Sequence, residues 1–322
     1  MTDPSIDRTS VVIITMNRRA LVERTLPVLL DDEATSEIVV VIDGGTDDTL
    51  SMLEEWARRD SRVRPVWQEN AGEGAARQRG AELATGDVVV FLDDDVEPSA
   101  DLISAHARRH RVGDVQLVLG YMPTTVPTPR RRGQVATELY AADYEAACRR
   151  YEEDPRNIWT SFWGGNFSMR REDAVRIGLR GQLRFTYHED VYFGIRCREA
   201  GLLAAFDRTA RARHTHSRNL RRLAREARRS GEARAILVNW YPDLRELFDP
   251  LSSLTGSQRR LVMAASGSAR PVVVAVLMTM CWVFGVAHAW RLETQCARVM
   301  RHVDLVHSFR VRQTTPIEAR RP

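Results

Sequence analysis

Lysine is absent from this sequence: all 47 basic residues are arginine. We read this first as a compositional habit, so an arginine cluster counts for less here as a functional signal. Cysteine is scarce. The four residues Cys148, Cys197, Cys281 and Cys296 are widely separated and form no CxxC pair. That argues against a zinc site or a disulfide framework and fits a reducing compartment. The opening MTDPSIDRTS is polar and has no signal-peptide core. Few aromatic residues interleave with the arginines, which weakens any reading as a nucleic-acid binder. No internal repeat is visible. At 322 residues and 43% hydrophobic content, the chain can bury a core as one large domain or two modest ones.

Charge is unevenly distributed. Residues 1–129 hold 13 arginines against 23 acids, and residues 130–322 hold 34 arginines against 20 acids. An acidic front suits a bound cation, and a basic back suits phosphates or a lipid surface.

The first 120 residues alternate strand and helix patterns. Strands are predicted at 11–15, 38–42, 63–67, 88–92 and 115–121, with helices over 20–30, 47–59, 74–84 and 98–110. Such alternation implies a mostly parallel sheet with helices on both faces. Ligands of these sheets bind outside the carboxyl ends of the strands. Asp93-Asp94-Asp95 falls at one such end, straight after the apolar run Val88–Leu92. Three adjacent carboxylates repel one another, and a divalent cation or a well-solvated turn relieves that repulsion. The loops after the first two predicted strands carry Thr15-Met16-Asn17 and Asp43-Gly44-Gly45-Thr46-Asp47-Asp48-Thr49, so the polar clusters share one sheet edge. Asp43 has two readings there, a ligand carboxylate or an Asx turn.

Further on, Asn70 to Gly80 is a glycine-bearing loop entering a helix, without dinucleotide or Walker spacing. Gly72 and Arg77 belong to it. Trp163-Gly164-Gly165-Asn166 offers backbone amides and an aromatic face suited to a sugar, or simply a tight turn. His188-Glu189-Asp190 stands at a predicted helix start, where a carboxylate either caps or serves as a general base. His214-Thr215-His216 reads as strand, with its two rings on opposite faces. Pro123 to Gly133 reads as a mobile connection. Helices are expected over 134–151 and 189–200, with a basic helix over 217–229 and helical structure throughout 257–312. The uncharged run 271–290 is long enough to span a bilayer, but we favour a buried helix or one lying against a membrane.

Taken together, these residues resemble the inverting family 2 glycosyltransferases, which have the GT-A nucleotide-diphospho-sugar fold. The resemblance covers about residues 10–235. Ser10 to Asn17 is similar to the family's opening strand and nucleotide loop, and Ile42 to Thr49 to its DDGSxDxT motif. Asn70, Gly72, Arg77 and Gly80 are similar to NxGxxxARNxG, the acid triplet to DxD, and Glu189-Asp190 with Arg196 to ED. Two positions depart from the pattern: Ile42 replaces the first aspartate of the DD pair, and Gln78 replaces an asparagine.

The resemblance implies an α/β fold with a C-terminal helical region. It implies transfer of a sugar from a nucleotide-diphospho-sugar, with UDP-sugar favoured, to an acceptor hydroxyl. Thr15, Asn17, Asp43, Gly72, Arg77, Asp93 and Asp94 would bind the donor. Asp93, Asp95 and His214 would bind Mn²⁺ or Mg²⁺. Asp190 would be the base, and Trp163, Gly164, Gly165, Asn166, Glu189 and Arg196 would face the acceptor. Asp94 is expected to be the most dispensable acid of the triplet.

The expected organisation has a disordered N-terminus at 1–9, a nucleotide-sugar half at 10–122 and a flexible loop at 123–133. An acceptor and catalytic half follows at 134–240, then helices at 241–312 and a tail at 313–322. Expected partners are the donor, an acceptor of unspecified type and an anionic membrane surface, with no nucleic acid. A cytoplasmic protein, peripheral on the inner face of the cell membrane, would fit. The rival readings are a non-catalytic sugar-nucleotide-binding or scaffold protein and a nucleotidyltransferase. The second lacks the glycine-rich loop it would need near the first strand.

Overall fold

The computed structural model describes residues 8–112, 114–180, 187–215, 217–252 and 254–315. The chain divides into two compact units. The first comprises Met1–Thr125, Tyr144–Gly181 and Asp190–Thr215, and the second Val126–Asp143, Gln182–Glu189 and His216–Pro322.

The first unit holds the strands β1 (Thr9–Thr15), β2 (Thr35–Asp43), β3 (Val63–Gln68), β4 (Val88–Asp93), β5 (Val96–Pro98), β6 (Leu117–Tyr121), β7 (Asn166–Arg170) and β8 (Ala204–His214). They form one sheet in the order β3-β2-β1-β4-β7-β6-β8-β5. β3, β2, β1 and β4 run parallel. β7 is antiparallel to both β4 and β6, and β6 and β8 are again parallel. The helices in chain order are α1 (Arg19–Asp31), α2 (Thr49–Arg59), α3 (Glu73–Leu83), α4 (Leu102–Arg111), α5 (Val135–Glu153), α6 (Arg171–Ile177), α7 (Glu189–Glu199), α8 (Leu220–Trp240), α9 (Arg245–Phe248), α10 (Gly256–Ala265), α11 (Arg270–Val286) and α12 (Trp290–Thr314).

Side chains of a strand alternate between faces, and this sheet is apolar on both. Val11, Ile13, Val40 and Leu92 join one core, with Leu26, Met52 and Leu102 of the helices. Val12, Val41 and Phe91 join the other, with Ala76, Ala81 and Ala174. Each fully buried Val, Leu or Ile contributes roughly 1.5–3 kcal/mol. Gly80 lets α3 lie close to β1, since a Cβ there would sit 2.3 Å from Val12 Cγ1.

The parallel half follows the sequence pattern. The other half differs from it. Pro98 does not start a helix: it ends β5, which pairs with β8, and α4 begins at Leu102. Asn166 is not in a turn but opens β7. β7 (NFSMR) and β8 (AAFDRTARARH) lack an apolar run, so hydrophobic pattern alone does not reveal them. In the second unit α8 runs on to Trp240, well past the predicted end. Its core gathers Val135, Leu139, Leu223, Cys281, Ala297 and Met300. Buried Asp304 of α12 accepts a hydrogen bond from Arg270 Nε at 2.7 Å and pairs with Arg228 at 3.2 Å.

Candidate active site

The carboxyl ends of β1, β2 and β4 lie side by side because the three strands are parallel neighbours, with Ile14 opposite Asp93 and Thr15 opposite Ile42. Arg77 comes from α3, on the second turn after Gly72. Its guanidinium lies 2.6 Å from Asp93 and 3.7 Å from Asp190. One cation therefore joins the acid triplet to the first turn of α7. Arg77 keeps only 10% of its side-chain surface, while Asp190 keeps 41%. Asp190 is thus closely surrounded yet accessible. Burial pushes its pKa up, Arg77 and the Gly164 amide oppose the rise, and Asp93 adds to it; the net direction is up. Burial lowers the pKa of Arg77, but Asp93, Asp190 and Glu73 overcome that, so it stays charged.

Two adjacent glycines lie against these carboxylates. Gly164 N–H donates to Asp190 Oδ2 at 3.1 Å, and a Cβ on Gly164 would stand 2.7 Å from Asp190 Oδ1. Gly165 carbonyl accepts the Asp93 amide at 3.0 Å, and a Cβ there would meet Asp93 Oδ2 at 3.0 Å. The pair is thus small because two carboxylates and the Met122 side chain press against it. The Gly164 amide serves Asp190 rather than an acceptor.

The triplet divides into three environments. Asp93 faces Arg77. Asp94 is buried, accepting from Thr15 Oγ1 at 2.8 Å and from Arg18 Nη1 at 2.5 Å. Asp95 lies 3.5 Å from Arg18 and 3.4 Å from His214 Nε2. The β5–β8 pairing explains the last contact, because Val96 stands opposite His214. Among the described residues no group of three or more His, Cys, Asp or Glu side chains could hold a metal ion by itself. Asp94 fixes both Thr15 and Arg18.

Several expected ligand contacts have internal partners. Asp43 accepts from the Ala71 amide at 2.8 Å, the Gly72 amide at 2.9 Å and Gln68 Nε2 at 2.8 Å. It clasps the loop that delivers Arg77. Asn17, at φ 55°, accepts from the Thr46 and Asp47 amides and braces the β2–α2 turn. Gly72 caps α3 at φ 90°, with open space where a Cβ would lie.

Two residues expected to face an acceptor have internal partners. Asn166 is fully buried, donating to Ala210 O at 3.0 Å and bonded to His106 Nε2 at 2.9 Å. Arg196 donates to the carbonyls of Ile177 and Gly178, at the end of α6. Trp163 is half-buried, edge-on to Tyr144 at 5.1 Å, and Glu189 is the first residue of α7. His216 lies outside the described residues.

Arg18 and Glu73 escaped sequence reasoning. Glu73 precedes Arg77 by one helical turn, a spacing that places both on one face. Arg77 lowers its pKa, but crowding by surrounding atoms and the charges of Asp93, Asp190 and Asp94 leave it raised, although the residue stays exposed. Arg18 becomes legible only once β1 is known to lie beside β4.

The sequence model of Glycosyl transferase family 2 matches residues 10–177, just over half of the chain. The chain belongs to glycosyl transferase family 2. Among curated relatives it is 42% identical over 64 residues to the Bacillus subtilis protein EpsH, covering 19% of each chain. It is 30% identical over 241 residues to another B. subtilis protein, the uncharacterized glycosyltransferase YfnE, covering 61% of each. The chain thus matches less than two thirds of either relative's length. A solved mannosyltransferase from Pyrobaculum calidifontis, PcManGT, in complex with GDP-Man and Mn²⁺, superposes with a TM-score of 0.62 at 19% identity. The superposition covers 95% of this chain and 89% of that one. The fold is therefore the GT-A type. The family match includes Thr15, Asp43, Arg77, the triplet and the Gly164-Gly165 pair. It stops before Asp190 and His214, which enter the site through the geometry above.

Proposed function

We propose that this family 2 protein is a glycosyltransferase. It moves a sugar from a nucleotide-diphospho-sugar to an acceptor hydroxyl in one displacement, with inversion at the anomeric carbon. The observation that carries this reading is the Asp93–Arg77–Asp190 bridge, which places an accessible carboxylate of raised pKa beside the acid triplet. A binding or scaffold protein has no use for such a base.

The chain's own groups suit the steps. Asp190 removes the proton from the acceptor hydroxyl as that oxygen attacks, and a raised pKa makes it a stronger base. The Gly164 amide fixes one carboxylate oxygen. Arg77 holds the carboxylate in its ionised form and adds positive charge where the diphosphate departs. Asp43 orients the loop that brings Arg77 into place, and a uridine nucleotide is the favoured donor.

Asp95 and His214 offer oxygen and imidazole donors 3.4 Å apart. These two fit Mn²⁺ or Mg²⁺ completed by donor phosphates and water, since such ions are usually held by few protein ligands. The Mn²⁺ in the PcManGT complex supports the same reading. A bound ion would neutralise charge growing on the leaving diphosphate.

The test is a panel of radiolabelled nucleotide-sugars incubated with the protein, with and without Mn²⁺. Metal-dependent transfer or hydrolysis of one donor is expected, and Asp95→Ala should remove the metal dependence together with most activity. Binding without turnover for every donor would favour the scaffold reading instead.

A further inference from the structure

We infer that α10 and α11 form a docking face for an anionic bilayer surface. The inference goes beyond sugar transfer and stands independently of it. α11 was expected to be either a buried helix or one lying against a membrane, and burial is excluded. Only Cys281 and Gly285 of its seventeen residues are buried. Val272, Val276, Met280 and Val283 recur at helical spacing along the open side, with Trp282 and Val286 beside them. Val272 is 68% exposed and Trp282 56%, while Leu261 on α10 reaches 71%. Contiguous apolar exposure of this kind marks an interaction surface. No single described helix is long and apolar enough to cross a membrane; α10 and α11 pass that test only as a pair, bent by 104°. Such helices suit the plane of an interface rather than its normal.

Charge selects the partner. Residues 256–314 contain eight arginines and only two acids, Glu293 and Asp304. Both acids are buried and paired inside the protein, Glu293 with Arg130 at 2.8 Å and Asp304 with Arg228 and Arg270. Their charge is therefore spent internally. Arg259, Arg260 and Arg291 are exposed on or beside the two apolar helices. The Arg132 guanidinium lies 4.8 Å from the Trp282 ring, a cation–aromatic pair suited to the headgroup layer. Apolar side chains fringed by arginine match lipid tails beneath phosphate headgroups. A second copy of the chain would oppose arginine to arginine, which disfavours self-association.

Vesicle flotation of the full chain tests this. At about 0.15 M salt, vesicles of phosphatidylglycerol and phosphatidylcholine should retain roughly tenfold more protein than phosphatidylcholine alone, with the excess shrinking as salt rises. The double variant Val276→Glu/Val283→Glu should lower retention by about tenfold. Its positions are exposed, and circular dichroism checks that it folds. Arg259→Ser/Arg260→Ser leaves the apolar side chains intact and should lose retention only on the anionic vesicles. The inference is overturned by equal retention on both vesicle types, by retention insensitive to both variants, or by no retention at all. It is also overturned if light scattering finds a dimer that Val276→Glu/Val283→Glu dissolves, because the face would then join two copies.

Discussion

The sheet unit and the helical unit treat charge in opposite ways. In the sheet unit the buried side chains along β1, β2 and β4 are mostly apolar, Glu37 of β2 is enclosed and bonded to Ser10 and Thr85, and further carboxylates gather where those strands end. Asp93, Asp95 and Asp190 remain reachable there, and Arg77 behind them is enclosed. In the helical unit the acids Asp304 and Glu293 are enclosed, while valines and a tryptophan face outward. The first arrangement leaves carboxylates accessible to a ligand. The second consumes its carboxylates in holding helices together. Counting charges along the sequence does not separate these uses; partners and exposure do.

The contrast can be broken at its strongest point by Arg77→Met. Losing this cation leaves Asp93, Asp190 and Glu73 without their shared counter-ion. We expect kcat/KM to fall by at least about 100-fold. Arg77 holds the Asp190 pKa down against burial. Its removal raises that pKa, so the acid limb of the pH–rate profile should move to higher pH. An unmoved limb would show that the two groups are not coupled.

In the helical unit, Asp304→Asn should behave differently. It strands Arg228 and Arg270, at a cost of about 2–4 kcal/mol seen as a lower denaturation midpoint. Donor affinity, measured on the folded variant, should be unchanged. A selective loss of donor binding would mean that this acid is not purely structural.

The smallest effect is expected at Arg196, and it sharpens the division within the sheet unit. As a cap on the last carbonyls of α6, its replacement in Arg196→Ala should cost about 1–2 kcal/mol of stability. Acceptor KM should stay the same. A raised KM with intact stability would restore the acceptor role that the sequence alone suggests.

Much of the site was legible because parallel strands collect their loops on one edge. Thr15, Asp43 and the triplet follow from the sequence as neighbours for that reason. What lay hidden depended on strand order and on small residues. Arg18 meets Asp94 only because β1 pairs with β4. The Gly164-Gly165 pair reads as a turn until Asp190 and Asp93 are seen against it. β7 and β8 carry polar and small residues, so no hydrophobic run announces them. Buried Asn166 is hidden for the same reason: its amide bonds His106 and Ala210 O, a network invisible from sequence spacing.

The account rests on Asp190 as the base, and the most direct measurement is single-turnover transfer by Asp190→Asn alongside donor titration of the same variant. Asparagine keeps the shape and cannot take the proton. Transfer should drop by at least about 1,000-fold, with donor affinity within about threefold of the parent, since uniform binding is untouched. Transfer close to the parent rate, with the donor bound, would contradict the assignment.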